Sequence, residues 1–129
     1  MAKKAEIEQA KQEAAASLTA SLSQEELMTI GEKVYVDRCA VCHQVSGAGI
    51  PGAFPAITGS KIATGDVDTH IDVVVNGRAG TAMQAFANQL SDKEIAAVVT
   101  YQRNGLGNST GDVVQASDVN AFKASKEGQ

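Results

Sequence analysis

The sequence predicts an all-α domain, and three kinds of observation support this fold class. Two capping boxes, Ser23 with Glu26 and Ser91 with Glu94, each mark the start of a helix. Apolar residues follow both boxes at spacings of three and four, which is the period of a helix with one buried face. No segment gives a convincing strand pattern. We therefore expect helices connected by loops rich in glycine and proline.

The first helix is expected to run from about Gln24 to about Ala40. Gly31 lies inside it, where glycine costs up to about 1 kcal/mol relative to alanine. We interpret this glycine as a point of close approach, because it lets the backbone of another helix come near. The apolar face of this helix is predicted to comprise Leu27, Ile30, Val34 and Val41.

Two further helices are expected. A middle helix should begin near Asp66 or Asp68 and stop at Asn76-Gly77. Its run of valines alone would also suit a strand, but an aspartate at one end and a glycine at the other favour a helix. A last helix should cover Asp92–Asn104, since glycine follows it directly.

The chain is expected to divide into three parts. Residues 1–23 are predicted to form a solvated linker that is partly helical or disordered, residues 24–107 the domain, and residues 108–129 a tail with a short helix on the surface. The first residues do not resemble a signal peptide, because charges continue to Glu13 and no apolar segment follows. We expect an excised piece of a longer, exported protein.

One motif carries the chemistry: Cys39-Ala-Val-Cys42-His43. Cysteines three residues apart face the same side of a helical turn, where both thiols can reach the two vinyl groups of one haem. The histidine that follows can then offer its imidazole to the iron. Cys-x-x-Cys-His is the signature of covalent c-type haem attachment. The sequence therefore predicts one covalently bound haem c, held by Cys39 and Cys42, with His43 as an axial ligand.

Two other interpretations of the cysteine pair are weaker. A thiol-disulfide enzyme also uses Cys-x-x-Cys, but its motif lies near a β-α-β pattern. A structural zinc site needs a further ligand pair, and the chain has only 2 cysteines and 2 histidines.

With 3 Phe, 2 Tyr and no Trp, the core is short of bulky side chains. A haem would supply this bulk, so we expect folding to depend on it.

The second axial ligand has three candidates: Met28, His70 and Met83. Met28 lies on the first helix, where a methionine more often fills the core. His70 stands among Asp68, Thr69 and Asp72 and is expected at the surface. Met83 lies in a loop of small residues that can lie flat against a haem, and it is favoured. A His/Met pair leaves no iron position for a substrate, which favours an electron carrier over an enzyme.

The motif, Phe54-Pro55-Ala56, the loop from Asn76 to Met83 and the final tyrosine-bearing helix resemble class I cytochrome c in content and order. The resemblance implies that the first and last helices cross and that loops wrap around the haem. It also implies that the Pro55 carbonyl accepts a hydrogen bond from His43 and that Met83 is the distal ligand. Many relatives place a tryptophan near a haem propionate, whereas this chain has none; Arg78 would pair with the propionate instead, the alternative being a solvated arginine. Tyr35 and Phe86 would line the haem pocket.

Three strings are similar to the C-terminal cytochrome domain of subunit II in some bacterial haem-copper oxidases: residues 83–86, 101–104 and 110–115. This resemblance implies a respiratory role on the periplasmic side of a bacterial inner membrane. The donor would be another cytochrome or a quinol-oxidising complex, and the acceptor the dinuclear copper domain. Proline usually follows the ligand methionine in the wider family, whereas this chain has Gln84.

The charge distribution bears on partners. A net charge of -4 and a pI near 5.1 argue against a nucleic-acid surface. No run approaches the roughly 20 apolar residues of a membrane helix, so no membrane contact by this segment is expected. Around the expected haem edge the residues are small and apolar, which predicts docking with weak electrostatic steering. The alternatives are a free periplasmic cytochrome c and a haem module that senses ligands or acts as a peroxidase.

Overall fold

In the computed structural model, residues 22–50, 52, 56–77, 83 and 85–127 are described. All of the regular structure in these residues is helical, which confirms the predicted all-α fold class. The helices are α1 Gln24–Val34, α2 Ala40–His43, α3 Lys61–Thr64, α4 Val67–Asn76, α5 Asp92–Asn104 and α6 Ala116–Glu127, and a turn of π-helix, Tyr35–Cys39, joins α1 to α2.

The predicted helix starts are confirmed by their hydrogen bonds. Ser23 accepts from the Glu26 backbone N–H at 3.1 Å, and the Glu26 carboxylate accepts from the Ser23 backbone N–H. Ser91 and Glu94 form the same reciprocal pair at α5. Asp66 caps α4 by accepting from the Thr69 backbone N–H at 2.9 Å. These side chains satisfy backbone donors that would otherwise lack a partner at a helix start.

The crossing of α1 and α5 positions the chemical motif. A Cβ built on Gly31 would overlap the Ala97 carbonyl oxygen and the Tyr101 Cβ, so only glycine allows this approach. The predicted close contact at Gly31 is therefore confirmed. The rings of Tyr35 and Tyr101 extend the same interface, with centroids 5.6 Å apart. Because α1 leads directly into the motif, this crossing fixes where the motif begins.

Helix α5 is the central element of the core. Six consecutive residues, 95–100, are fully buried, since α1, α4 and α6 all pack against this helix. The apolar face of α1 was predicted in part: Leu27 and Val34 are buried, but Val41 is 82% exposed. Val41 leaves the predicted face because the π-turn adds a residue to the helical register.

The segment after residue 107 differs from the predicted tail. Helix α6 packs against α5, and Val114, Val119 and Phe122 belong to the hydrophobic core. The Thr100 hydroxyl accepts from the Val114 backbone N–H at 3.0 Å, which fixes the segment before α6. The expectation of a short helix on the surface is therefore wrong, because this segment completes the core. Most of the predicted linker, residues 1–21, lies outside the described residues.

Across the described ranges, no helix is both long and apolar enough to span a bilayer.

Candidate haem site

The motif occupies the end of the first helical segment. Cys39 closes the π-turn and is 8% exposed, whereas Cys42 lies in α2 and is half-buried. His43 is the last residue of α2 and is also half-buried. The chain thus presents two thiols one turn apart and an imidazole directly after them, as the sequence predicts.

The two thiols do not form a disulfide. Burial, and secondarily the neighbouring Cys42, raises the pKa of Cys39 to about 11. A thiol that attacks disulfides usually has a lowered pKa, because the thiolate is the nucleophile. The environment of Cys39 therefore disfavours the thiol-disulfide interpretation.

The zinc interpretation lacks ligands as well. Nowhere among residues 22–50, 52, 56–77, 83 and 85–127 do three or more His, Cys, Asp or Glu side chains gather into a set that could hold a metal ion. The cysteine pair and His43 are thus a set suited to one haem iron and two vinyl groups.

The loop after the motif folds back on it through backbone hydrogen bonds. The Gly49 N–H donates to the His43 carbonyl at 2.9 Å, and the Gly47 N–H donates to the Gln44 carbonyl at 3.0 Å. The buried Tyr35 hydroxyl also donates to the Gln44 carbonyl, at 2.6 Å. Tyr35 therefore lies beside the predicted site and contacts the backbone that follows His43.

Phe86 is anchored to α4, three residues after Met83. The Phe86 N–H donates to the Val74 carbonyl at 3.0 Å, and the Phe86 side chain is 6% exposed in the core. Tyr35, Cys39 and Phe86 share one core cluster, and half-buried Met83 packs against it. The structure thus brings Met83 to the same cluster as the buried motif cysteine.

Exposed apolar side chains surround the motif. The large hydrophobic residues exposed in the described part of the chain include four within seven residues of the motif: Val36, Val41, Val45 and Ile50. Singly exposed apolar side chains are common on protein surfaces, so the donor set rather than this exposure identifies the site. A haem bound through the two thiols fits that donor set. We call residues 35–50, together with Met83 and Phe86, the haem face.

Pro55 and Arg78 lie outside the described residues. The hydrogen bond from His43 to the Pro55 carbonyl and the pairing of Arg78 with a propionate therefore stay predictions.

His70 is not at the surface, contrary to expectation: it is 2% exposed. Its Nε2 lies 2.6 Å from the Gln102 side-chain oxygen, and its Nδ1 lies 3.4 Å from an Arg103 guanidinium nitrogen. Val67 and Val74 are three and four residues from His70 along α4 and pack in or against the core, so His70 lies on the same face of the helix. The polar neighbours in sequence were misleading because they occupy other faces of the helix.

Arg103, which is 1% exposed, binds Asp112 and the Gly65 carbonyl. Asn108 adds a second connection by donating to the carbonyls of Gln102 and Ile57. We call His70, Gln102, Arg103, Asn108 and Asp112 the polar core. The sequence interpretation missed it, although Gln102 and Arg103 follow the apolar pattern of α5 and hint at burial.

An open cleft of about 480 Å³ lies beside the polar core, between α4 and α6. Its lining includes Val67, Asp68, Asp112, Asp118 and Phe122. None of the predicted haem-binding residues lines this cleft. The haem face is therefore identified by its donor set rather than by a cavity.

The crossing of α1 and α5, the motif at the end of the first helical segment and the loop anchored on α4 define a class I cytochrome c fold. Residues 21–101 match the family model described as "Cytochrome C oxidase, cbb3-type, subunit III". The chain belongs to this cytochrome c family, and its cofactor is haem c.

Three related cytochrome proteins support the assignment to the cytochrome c family. The chain is 34% identical over 103 residues to the cytochrome c subunit of alcohol dehydrogenase (quinone) from Gluconobacter oxydans, covering 72% of this chain and 22% of that protein. It is 35% identical over 80 residues to the cbb3-type cytochrome c oxidase subunit CcoP of Azospirillum brasilense, covering 57% and 27%. Cytochrome c-552 of Thermus thermophilus is 36% identical over 108 residues, covering 73% and 78%.

Among solved structures, dihydro-heme d1 dehydrogenase NirN in complex with DHE aligns with a TM-score of 0.52 and 28% identity, covering 59% of this chain and 16% of that one. The chain thus spans about a quarter or less of several larger relatives. These similarities establish a cytochrome c domain, which transfers electrons. They do not assign it specifically to oxidase subunit II.

Proposed function

We propose that this domain carries single electrons through one haem c, with Cys39 and Cys42 as thioether donors and His43 and Met83 as axial ligands. The observation that carries the proposal is the placement of two thiols and an imidazole at one helix end, beside the cluster against which Met83 packs. A haem bound there supplies a reversible one-electron couple. Two axial ligands would leave no open iron position, so the domain alone is a carrier rather than an enzyme.

The chain's own residues have separable tasks in this proposal. Cys39 and Cys42 bind the cofactor, and His43 orients it from the end of α2. Phe86, anchored to the Val74 carbonyl, holds the loop from which Met83 reaches the haem face. The crossing at Gly31 keeps this assembly attached to α5.

The test of ligation is an optical spectrum of the oxidised and reduced domain. Methionine sulfur on ferric iron gives a weak far-red band, which should be present in the native domain and absent in Met83→Leu. The reduction potential of Met83→Leu should also fall, because methionine ligation raises it. Met28→Leu is the matched control, since Met28 is half-buried on α1 and was the competing methionine. If the band were lost in Met28→Leu but kept in Met83→Leu, Met83 would be refuted as the ligand.

The finer assignment is the cytochrome domain of an oxidase subunit II on the periplasmic side of the membrane. In this proposal a donor cytochrome or quinol-oxidising complex reduces the domain, which then reduces the dinuclear copper centre. The resemblance of residues 83–86, 101–104 and 110–115 supports it. The sequence of the full gene tests this assignment. A membrane-anchored copper domain encoded upstream would support the subunit II assignment, and its absence would refute it.

A free periplasmic carrier is the second candidate. It is favoured by the Thermus thermophilus cytochrome c-552, of which the alignment covers 78%.

A ligand-sensing or peroxidase-type module is a third candidate, and binding of carbon monoxide to the reduced iron distinguishes it from a carrier. Rapid carbon monoxide binding by the reduced domain would indicate an open or labile iron position and would contradict the carrier function.

Docking is proposed to depend on small apolar residues, because Ala48 and Ile50 are exposed beside the motif. Charges contribute little there: between residues 39 and 90 the positive side chains are only Lys61 and Arg78. The transfer rate to a partner should therefore change little with added salt. A steep decrease would show that electrostatic steering dominates.

A further inference from the structure

Gln44, the residue after the proposed iron ligand His43, has a strained backbone. Its φ is 69° and its ψ is 155°, a region that residues with a side chain rarely occupy. Such a conformation costs about 1–3 kcal/mol and persists only where the surroundings hold it. Gln44 itself is exposed, so the packing of its own side chain does not explain the conformation.

The restraint comes from Tyr35. The Tyr35 hydroxyl donates to the Gln44 carbonyl at 2.6 Å, and the Tyr35 ring is fully buried, with 0% exposure. Burial, with a smaller contribution from Cys39, raises the pKa of Tyr35, so the hydroxyl keeps its proton and remains a donor. A buried hydroxyl without this acceptor would cost about 1–3 kcal/mol, which is enough to offset the strain at Gln44.

The Gln44 carbonyl accepts a second hydrogen bond, from the Gly47 N–H at 3.0 Å. The Gly49 N–H then returns to the His43 carbonyl at 2.9 Å. Tyr35 thus contacts the first carbonyl of a loop that is hydrogen-bonded back to the backbone of Gln44 and His43. The hydroxyl reaches this loop from the first residue of the π-turn that follows α1, nine residues earlier in the chain.

We propose that Tyr35 is a positioning residue for the iron ligand: its hydroxyl holds the strained Gln44 turn and thereby fixes the orientation of the His43 imidazole toward the haem. This inference rests on the proposed role of His43 as an axial ligand. It assigns to Tyr35 a task different from lining the pocket, because the side chain acts through the Gln44 carbonyl. The orientation of the imidazole sets its overlap with iron orbitals and hence the electronic structure of the ferric haem.

The test is Tyr35→Phe in the haem-loaded domain, which keeps the ring and removes the hydroxyl. Backbone amide exchange at Gly47 and Gly49 should become about tenfold faster, as expected for the loss of one hydrogen bond. The paramagnetically shifted haem methyl signals in the ferric NMR spectrum should move, because they report the plane of the axial imidazole. The Val114 amide, which donates to Thr100, is an internal control and should be unchanged.

Tyr101→Phe is the matched control variant. Tyr101 is the partner in the ring pair, and it lies on α5 rather than on the helix that carries the motif. If the hydroxyl of Tyr35 acts as proposed, Tyr101→Phe leaves both the haem methyl shifts and the Gly47 exchange rate unchanged. Equal changes in the two variants would overturn the proposal, because they would indicate a general effect on the helix crossing.

Gln44→Gly tests the strain directly, because glycine adopts this backbone conformation freely. In a Gln44→Gly background, Tyr35→Phe should have a smaller effect on amide exchange than in the native chain. If Tyr35→Phe alone fails to fold, the double variant is expected to restore folding, and failure to restore it overturns the proposal. If the native domain itself carries no covalent haem by mass, the proposed function fails instead.

Discussion

The haem face and the polar core differ in which side chains they expose and which they bury. The haem face leaves Val36, Val41 and Val45 exposed and holds a strained turn at Gln44. The polar core instead buries polar side chains, and each of them has a partner, since no buried side-chain nitrogen or oxygen of the described residues lacks a hydrogen bond. The first region therefore carries exposed apolar side chains and a strained backbone, whereas the second is held by hydrogen bonds within the chain.

This difference has a physical consequence for stability. Buried polar groups that are fully satisfied rigidify a core and specify a single arrangement. Exposed apolar side chains gain nothing from folding unless something covers them. We therefore expect the polar core and α6 to hold their structure by themselves, and the haem face to depend on the cofactor.

The largest expected effect comes from removing both thiols. In Cys39→Ala with Cys42→Ala, covalently bound haem should be lost completely, and with it the cooperative melting transition. Hydrogen exchange should show residual protection at Thr100 and Val114, near the polar core, and loss of protection at Gly47 and Gly49. Circular dichroism and exchange measured by mass spectrometry check this. Native helix content with a cooperative melt would contradict the idea that folding depends on haem.

The next largest effect concerns pH and tests the polar core. Burial, then the charge of Arg103, lowers the pKa of His70 to about 4 from an ordinary value of 6.5, although the hydrogen bond to Gln102 acts in the opposite direction. The unfolded chain then binds the proton more readily than the folded chain does. The contribution of His70 to the free energy of unfolding is therefore fully present above pH 6.5 and declines as pH falls toward 4. The pKa shift corresponds to a decrease of about 3 kcal/mol in the free energy of unfolding.

The nearby carboxylates titrate in a lower window. The Thr69 hydrogen bonds lower the pKa of Asp66, and the hydrogen bond from Arg103 lowers that of Asp112, so both lose their contribution only below pH 3.8. Chemical unfolding of the native domain and of His70→Gln, measured between pH 7 and 4.5, isolates His70. The variant should show a flatter profile. Identical slopes in the two proteins would rule out His70 as the source.

The contrast between the two regions also explains what could be predicted from the sequence. Helix starts were predictable, because Ser23 and Ser91 satisfy backbone donors three residues away. The motif was predictable, because its chemistry depends on spacing alone. The burial of His70 was predicted wrongly, because the face of α4 on which a residue lies determines its burial more than the polarity of its neighbours in sequence does. The bond from Tyr35 to Gln44 was beyond prediction, because it depends on the π-turn and a tertiary contact.

The third effect tests the contact that joins the two regions. In Gly31→Ala, the new methyl group would overlap the Ala97 carbonyl, which is backbone and cannot rotate away. Overpacking typically costs about 1–3 kcal/mol, and a clash with backbone belongs at the upper end; better helix propensity returns about 1, so we expect a net loss of about 2 kcal/mol. Denaturant unfolding measures it. Exchange at Gly49 and at Val114 should accelerate together, because both regions depend on this crossing.

The smallest effect concerns the ion pair between Lys123 and Asp92, at 2.6 Å, which attaches α6 to the start of α5. Both side chains are partly exposed, so solvent and salt screen the attraction. Lys123→Ala should cost about 0.5 kcal/mol or less at high salt and should leave the haem spectrum unchanged. Unfolding at low and high ionic strength tests this, with Lys93→Ala as a control on the same end of α5. A loss of haem signal in Lys123→Ala would show that α6 influences the haem face, and the two regions would then be less independent than their contacts indicate.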